Sequence, residues 1–401
     1  MKSFIHRDHY LGRIKPFMEK ELIKVIIGQR RVGKSYFLYE IMDELTRRGV
    51  KEEQMLSINK ESYDWDHVRD NKDLIKAVEK HFGAKKAKRY LFIDEVQDIQ
   101  HFEKALRSLQ QTGQYDLYIT GSNAFMVSSE LATYLGGRHI SFEIFSLSYP
   151  EFLRFHQMEK GTRSFFQYLQ YGGMPYLIHI EKNDEVVYQY LSSVYNSILL
   201  QDIVERYGIR QVDFLNRLVL FLADNVGSFV SAKSISDYLK AQHMNLSPSV
   251  VLNYLQYIIS SFYLYEAKRS DISGKKIFQI QEKYYFGDLG FRHALIGYRQ
   301  TDINKMLENV VYLHLKREGY QITVGKQGEK EIDFIAQKGD EKLSVQVCYL
   351  LTNQKVRDRE FGNLLEIKDN YRKIVLSMDE GAGGNIQGVE HQHVIDFLTT
   401  P

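Results

Sequence analysis

Little in this 401-residue chain can cross-link or stiffen it: there is one cysteine, one tryptophan and five prolines. The lone Cys348 excludes an internal disulfide framework and a cysteine-rich zinc site. It fits a reducing compartment, so a cytoplasmic protein is expected. No run approaches the roughly 18 apolar residues that a membrane span needs. The opening MKSFIHRDHYLGRIKPF alternates charge with aromatics and lacks the apolar core of a secretion signal. The 27 glycines are dispersed, and we find no low-complexity tract and no internal repeat.

Charge of one sign is also lacking. Lys and Arg total 53 against 51 Asp and Glu, for a formal net charge of +2. Basic residues gather only locally, at Lys85-Lys86-Ala87-Lys88-Arg89, Lys268-Arg269 and Lys275-Lys276. Each cluster reads either as a solvated face or as a nucleic-acid footprint. A hydrophobic content of 44% with 26% charged residues is that of an ordinary globular protein. The length implies roughly two to four domains.

The first third carries a phosphate-binding pattern. Leu22–Ile27 is a short apolar run that predicts a buried strand, and it feeds directly into Gly28-Gln29-Arg30-Arg31-Val32-Gly33-Lys34-Ser35. Apolar residues at helical spacing follow from Tyr36 to Leu45. Strand, GxxxxGK[ST] and helix is the context in which such a loop works. Glycines let backbone N–H groups wrap an anion at the helix N-terminus. Lys34 is expected to reach the β- and γ-phosphates of ATP, and the Ser35 hydroxyl to ligate Mg2+.

Tyr90-Leu91-Phe92-Ile93-Asp94-Glu95 reads as a second buried strand ending in two acids. Asp94 is the candidate Mg2+ holder and Glu95 the residue that polarises an attacking water. A third buried strand, Tyr115–Thr120, ends in Gly121-Ser122-Asn123. Asn123, with Ser122 second, would position water near the γ-phosphate, or the pair simply caps the next helix. Arg138 follows a glycine turn. It would stabilise transition-state charge, in cis or across a subunit boundary, or is a surface arginine.

Together GQRRVGKS, LFIDEVQ, ITGSN, LGGRHISFEIFSLSYPEFL and the later Gly172-Gly173-Met174-Pro175 resemble the AAA-type ATPases of bacteria and archaea that carry a C-terminal domain of uncharacterised function. The resemblance spans nearly the whole chain. It implies an α/β fold with a parallel P-loop sheet over residues 1–149, related to the AAA+/STAND switch proteins. AAA+ relatives often form rings, so it also allows a homo-oligomer.

Residues 150–210 read as a helical lid or linker, in which Leu191–Arg206 has apolar residues at helical spacing; the sequence assigns neither Arg206 nor Arg210 to the nucleotide. Residues 211–295 give three helices: Asp213–Leu222, one capped by Ser231, and one opened by Ser247-Pro248. Two strands follow, Phe262–Ala267 and Lys276–Ile280. That set makes a winged helix, whose partner is DNA, through the wing residues Lys268, Arg269, Lys275 and Lys276, or a protein. The third helix has no Lys or Arg between Ser247 and Ser261.

Residues 296–401 read helix, three strands, helix, strand, an order that resembles the PD-(D/E)XK nuclease-like fold. Asp333 matches its first acid and Glu308 an accessory helix acid, but Gln346-Val347-Cys348 stands where Glu-x-Lys is needed. The expectation is a degenerate domain with a structural or binding role, unless a displaced lysine such as Lys342 or Lys355 compensates. His391 and His393 alternate without a third ligand, which predicts a surface strand rather than a metal site.

Overall fold

The computed structural model describes residues 4–83, 87–124, 134–244, 246–271, 281–328 and 330–400. The chain divides into two compact units, Met1–Phe145 with Ser260–Phe262, and Ser146–Ile259 with Tyr263–Pro401.

The first unit holds a five-stranded parallel sheet of β1 (Ile23–Ile27), β2 (Met55–Asn59), β3 (Arg89–Asp94), β4 (Tyr115–Gly121) and β5 (His139–Glu143), in the order β2-β3-β4-β1-β5. Every residue of β1, β3 and β4 is buried, because crossover helices cover both faces of a parallel sheet. The helices include α1 (Asp8–Ile14), α2 (Lys34–Arg47), α3 (Asn71–Phe82) and α4 (Phe102–Gln111). The order inserts β4 between β1 and β3. It therefore aligns three strand ends, with Ile27 beside Gly121 and Ile93 beside Ile119.

The basic run divides where β3 begins, with Lys88 exposed and Arg89 turned inward. Arg89 is buried, stacks on the Phe82 and Tyr115 rings, and donates to the Tyr115 hydroxyl at 2.6 Å. Lys88 donates to the Glu19 carbonyl. Lys85 and Lys86 lie outside the described residues.

The second unit opens with α5 (Tyr149–Phe155), α6 (Thr162–Tyr171) and α7 (Asp184–Ser197). α7 runs on as a π-helical segment, Ile198–Glu205, so the helical reading of 191–206 holds with an unexpected change of pitch. Arg206 and Arg210 are exposed. Then come α8 (Val212–Asp224), β6 (Phe229–Val230), α9 (Ala232–Ala241) and α10 (Pro248–Ser260). Ser231 caps α9 by accepting from the Ser234 N–H, as its sequence predicts.

β7 (Leu264–Asp271) pairs antiparallel with β8 (Glu282–Phe286), which follows the expected second strand 276–280. That segment, with Lys275 and Lys276, lies outside the described residues. After α11 (Leu289–Ile296) and α12 (Ile303–Arg317) come β9 (Gln321–Gln327), β10 (Lys330–Lys338), β11 (Glu341–Val347), α13 (Gln354–Leu365) and β12 (Arg372–Ser377). β13 (Asn385–Ile386), β14 (Val389–His393) and α14 (Val394–Thr399) close the chain. β7 also pairs in parallel with β9, so one nine-stranded sheet runs β13-β14-β12-β11-β10-β9-β7-β8-β6 through the whole unit.

β14 is not a surface strand. It lies between β12 and β13, and the buried His391 ring sits 2.8 Å from the Ser377 hydroxyl. No metal-capable cluster occurs among the described residues, and no described helix is long and apolar enough to cross a membrane.

The Gly172-Gly173 pair has a packing cause. Asp288 is buried, and its carboxylate accepts from the Gly173 and Gly290 N–H groups at 2.7 and 2.8 Å. Burial nevertheless pushes its pKa up to about 6. A Cβ on Gly172, at φ +76°, would fall 1.8 Å from that carboxylate. Gly172→Ala is therefore expected to cost about 3 kcal/mol or more, read as a lowered denaturant midpoint with unchanged slope.

Candidate nucleotide-binding site

β1 delivers the chain to Gly28 at the edge of the sheet. There the Ile144 N–H donates to the Ile27 carbonyl at 2.7 Å, bringing the strand past β5 against the loop. A Cβ on Gly28, at φ +147°, would meet the Ile144 carbonyl oxygen at 2.1 Å, so only glycine fits. Arg31 and Gly33 turn through the left-handed region, at φ +69° and +98°. Gly33 is the N-cap of α2 and no side chain caps that terminus. The first-turn N–H groups of a 14-residue helix thus open onto the loop, an arrangement that suits a phosphate.

Lys34 is buried, and its ammonium donates to the Gly28 and Gln29 carbonyls at 3.1 Å each. It also lies 3.5 Å from a Glu95 carboxylate oxygen. The Gln29 Nε2 is a buried donor with no partner among the described residues. Arg30 sits 3.7 Å from Glu61, and Val32 is buried. Arg7, which the sequence reading passed over, braces the loop. Its guanidinium donates to the Val32 carbonyl at 3.1 Å and the Phe145 carbonyl at 2.9 Å, while its own N–H is held by Glu40 on α2.

Asp94 and Glu95 end β3, both buried. Burial raises the Asp94 pKa, opposed by hydrogen bonds from the Ser35 and Thr120 hydroxyls and reinforced by the Glu95 charge. Burial pushes Glu95 the same way. There the Lys34 charge, the Gln97 amide, the Arg30 charge and the Ser122 hydroxyl outweigh it, leaving the pKa below the ordinary glutamate value. Thr120 ties the two acids together: its hydroxyl donates to Asp94 Oδ1 at 2.5 Å and accepts from the Glu95 N–H at 2.9 Å. That N–H is presented in the left-handed region, at φ +53°. Gln97 donates to Glu95 Oε2 at 2.5 Å.

Ser122 and Asn123 follow β4, both essentially without solvent exposure. The fold thus gathers Gly28–Ser35, Asp94, Glu95, Ser122 and Asn123 at one edge of the sheet. Arg138 does not join them. It is exposed and precedes β5, where His139 pairs with Ile23 at the start of β1. Four strand steps separate that end from the loop, about 13 Å at the usual rise per residue. Within its own chain Arg138 thus stands at the opposite end of the sheet from the loop. Thr120 and Gln97 also went unread in the sequence; the one available signal was a hydroxyl closing an otherwise apolar strand.

The site consists of an anion-accepting loop, one ammonium, and a pair of hard oxygen donors, Ser35 and Asp94, whose chemistry suits Mg2+. An AAA-domain family model matches residues 20–153, and a domain of unknown function (DUF8612) matches residues 162–302. An uncharacterised protein of Haemophilus influenzae is 36% identical over 401 residues, covering 99% of both chains. One from Methanocaldococcus jannaschii is 28% identical, covering 94% of this chain and 86% of its own. The Walker-type ATPase of Pyrococcus abyssi shares the fold at a TM-score of 0.51 and 12% identity, over 73% of this chain and 96% of that one. This chain belongs, with the Haemophilus influenzae protein, to a family of P-loop proteins built on an AAA domain.

Proposed function

We propose that this chain binds ATP with Mg2+ in the Gly28–Ser35 loop, hydrolyses it, and uses the nucleotide state as a switch. The observation that carries the reading is the Thr120 hydroxyl, which holds Asp94 and Glu95 side by side next to Lys34. The loop N–H groups and Lys34 bind the phosphates. Ser35 and Asp94 hold Mg2+, which neutralises charge on the β- and γ-phosphate oxygens when bound. Glu95, kept anionic by its neighbours, orients and activates the attacking water. Asn123 registers the γ-phosphate. Arg138, placed at the far end of the sheet, acts across a boundary between copies of the chain.

Residues 211–295 serve in this reading as a winged helix, supported by α8, α9 and α10 with the antiparallel β6-β8-β7 set. Residues 150–210 are the helical link, and residues 296–401 are a nuclease-like domain that does not cut. The output of the switch is either DNA or a protein partner, and two observations favour the protein. α10 carries no Lys or Arg. The described wing cations are engaged, Lys268 with Glu266 at 3.2 Å and Arg269 with Gln281 and over the Phe229 ring.

Steady-state ATP hydrolysis tests both levels. Lys34→Ala should abolish turnover, and Glu95→Gln should lower kcat by about 10²-fold or more while ATP still binds. Addition of double- or single-stranded DNA should leave the rate unchanged; marked stimulation would place the output on nucleic acid. Thr120→Val should lower turnover and cost about 1–3 kcal/mol of stability, since a buried carboxylate loses a donor. Thr120→Ser, which keeps the hydroxyl, should retain both.

A further inference from the structure

The acid end of the nucleotide site holds an amide whose two arms meet different surroundings. After β3 a short 3-10 turn, Val96–Asp98, folds the chain back on itself. The Asp98 N–H donates to the Glu95 carbonyl at 3.1 Å, and the Ile99 N–H to the Val96 carbonyl at 3.0 Å. Val96 and Ile99 anchor the turn in the core. Glu95 heads it in the left-handed region, a backbone state that a glutamate keeps only where its surroundings hold it. The turn brings Gln97 onto the carboxylate two residues back, where its Nε2 donates to Glu95 Oε2 at 2.5 Å. The other carboxylate oxygen, Oε1, lies 3.5 Å from the Lys34 ammonium.

A carboxylate beside an ammonium accepts hydrogen bonds and gives none, so the amide meets it through NH2 alone. That fixes the Gln97 carbonyl oxygen as an acceptor on the opposite arm. This Oε1 is buried and has no hydrogen-bond partner among the described residues. The loop side of the site shows the reverse, the buried donor Gln29 Nε2 with no partner among them. Phosphate oxygens bring lone pairs, which suit the Gln29 donor and not the Gln97 acceptor. The reactant that brings hydrogens to Glu95 is the attacking water.

We propose that Gln97 is a second holder of the attacking water: its Nε2 fixes the Glu95 carboxylate while its Oε1 accepts one of the water's two hydrogens. The inference rests on the reading of this site as an ATPase, and it adds a residue to a step that Glu95 would otherwise carry alone. Glu95 accepts the other hydrogen and takes that proton as the water oxygen bonds to the γ-phosphorus. The bond from the γ-phosphorus to the β,γ-bridging oxygen breaks, and its electron pair leaves on ADP. The hydrogen directed at Gln97 stays on the phosphate that forms. With both hydrogens directed, a lone pair of the water is left facing the phosphorus.

Two substitutions separate the arms of the amide. Gln97→Met is close in size and removes both; Gln97→Lys keeps a donor for Glu95 and loses the acceptor. The full chain is assayed for steady-state ATP hydrolysis, for equilibrium ATP binding, and for binding of ADP with aluminium fluoride, which mimics the phosphoryl group under attack. Both variants should lose about tenfold or more in kcat and a similar factor in affinity for the mimic, with ATP affinity unchanged. The proposal is overturned if either folded variant turns over at or above the wild-type rate. For Gln97→Lys that result means that Gln97 acts only through Glu95; for Gln97→Met it means that Gln97 is dispensable. A loss confined to ATP affinity overturns it too. Should Gln97→Met not fold, Gln97→Lys decides by the same readings. A wild-type chain that binds ATP yet turns over no faster than Lys34→Ala would remove the ATPase reading itself, and this inference with it.

Discussion

Two carboxylates adjacent in sequence are buried at the end of one strand, and most of the first unit is arranged around that fact. Asp94 and Glu95 close β3 where every residue is out of solvent. Leaving such groups without donors would cost several kcal/mol each. Their donors come from other elements: Ser35 and Lys34 from α2, Thr120 and Ser122 from β4 and the residue beyond it, and Gln97 from the turn that follows. These groups meet only if β4 lies between β1 and β3, the order the sheet has. The sheet topology and the electrostatics of the site are thus one requirement seen at two scales.

The second unit meets similar requirements with different chemistry. Asp288 is satisfied by two backbone N–H groups brought close by glycines. Glu308 and Glu331 are met by Lys283. The contrast with Lys34 is instructive. Lys34 is shared among two carbonyls and a carboxylate at 3.1 to 3.5 Å, contacts that an arriving phosphate can replace. Lys283 is held at 2.8 and 2.6 Å by two carboxylates, Glu308 and Glu331. One lysine sits where a phosphate can reach it, and the other ties β8 to α12 and β10.

The phosphate loop, the acidic strand end and the polar end of β4 were legible in the sequence because each is a short local pattern in a strand–loop–helix context. The helices from Val212 to Ser260 and the elements from Ile303 to Ser377 were legible for the same reason. What escaped depends on pairing between distant segments. Nothing local in Leu264–Asp271 indicates that it will also pair with Gln321–Gln327, and so the single nine-stranded sheet could not be read. Arg7 touches Val32 and Phe145, separated from it by 25 and 138 residues. Lys283 is an unremarkable lysine in an aromatic stretch until the fold brings Glu308 and Glu331 to it. Arg138 shows the converse: it is conspicuous in the sequence after a glycine turn, yet strand direction puts it at the opposite end of β5 from the phosphate loop.

The central claim is that Gly28–Ser35 and Asp94 form a site for ATP together with Mg2+. Equilibrium binding of ATP to the wild-type chain and to Asp94→Asn, each with Mg2+ and with EDTA, tests it most directly. The account predicts that EDTA weakens ATP binding to the wild type and that Asp94→Asn removes most of that dependence. ATP affinity that is indifferent to Mg2+ in the wild type, or unaltered dependence in Asp94→Asn, would contradict it.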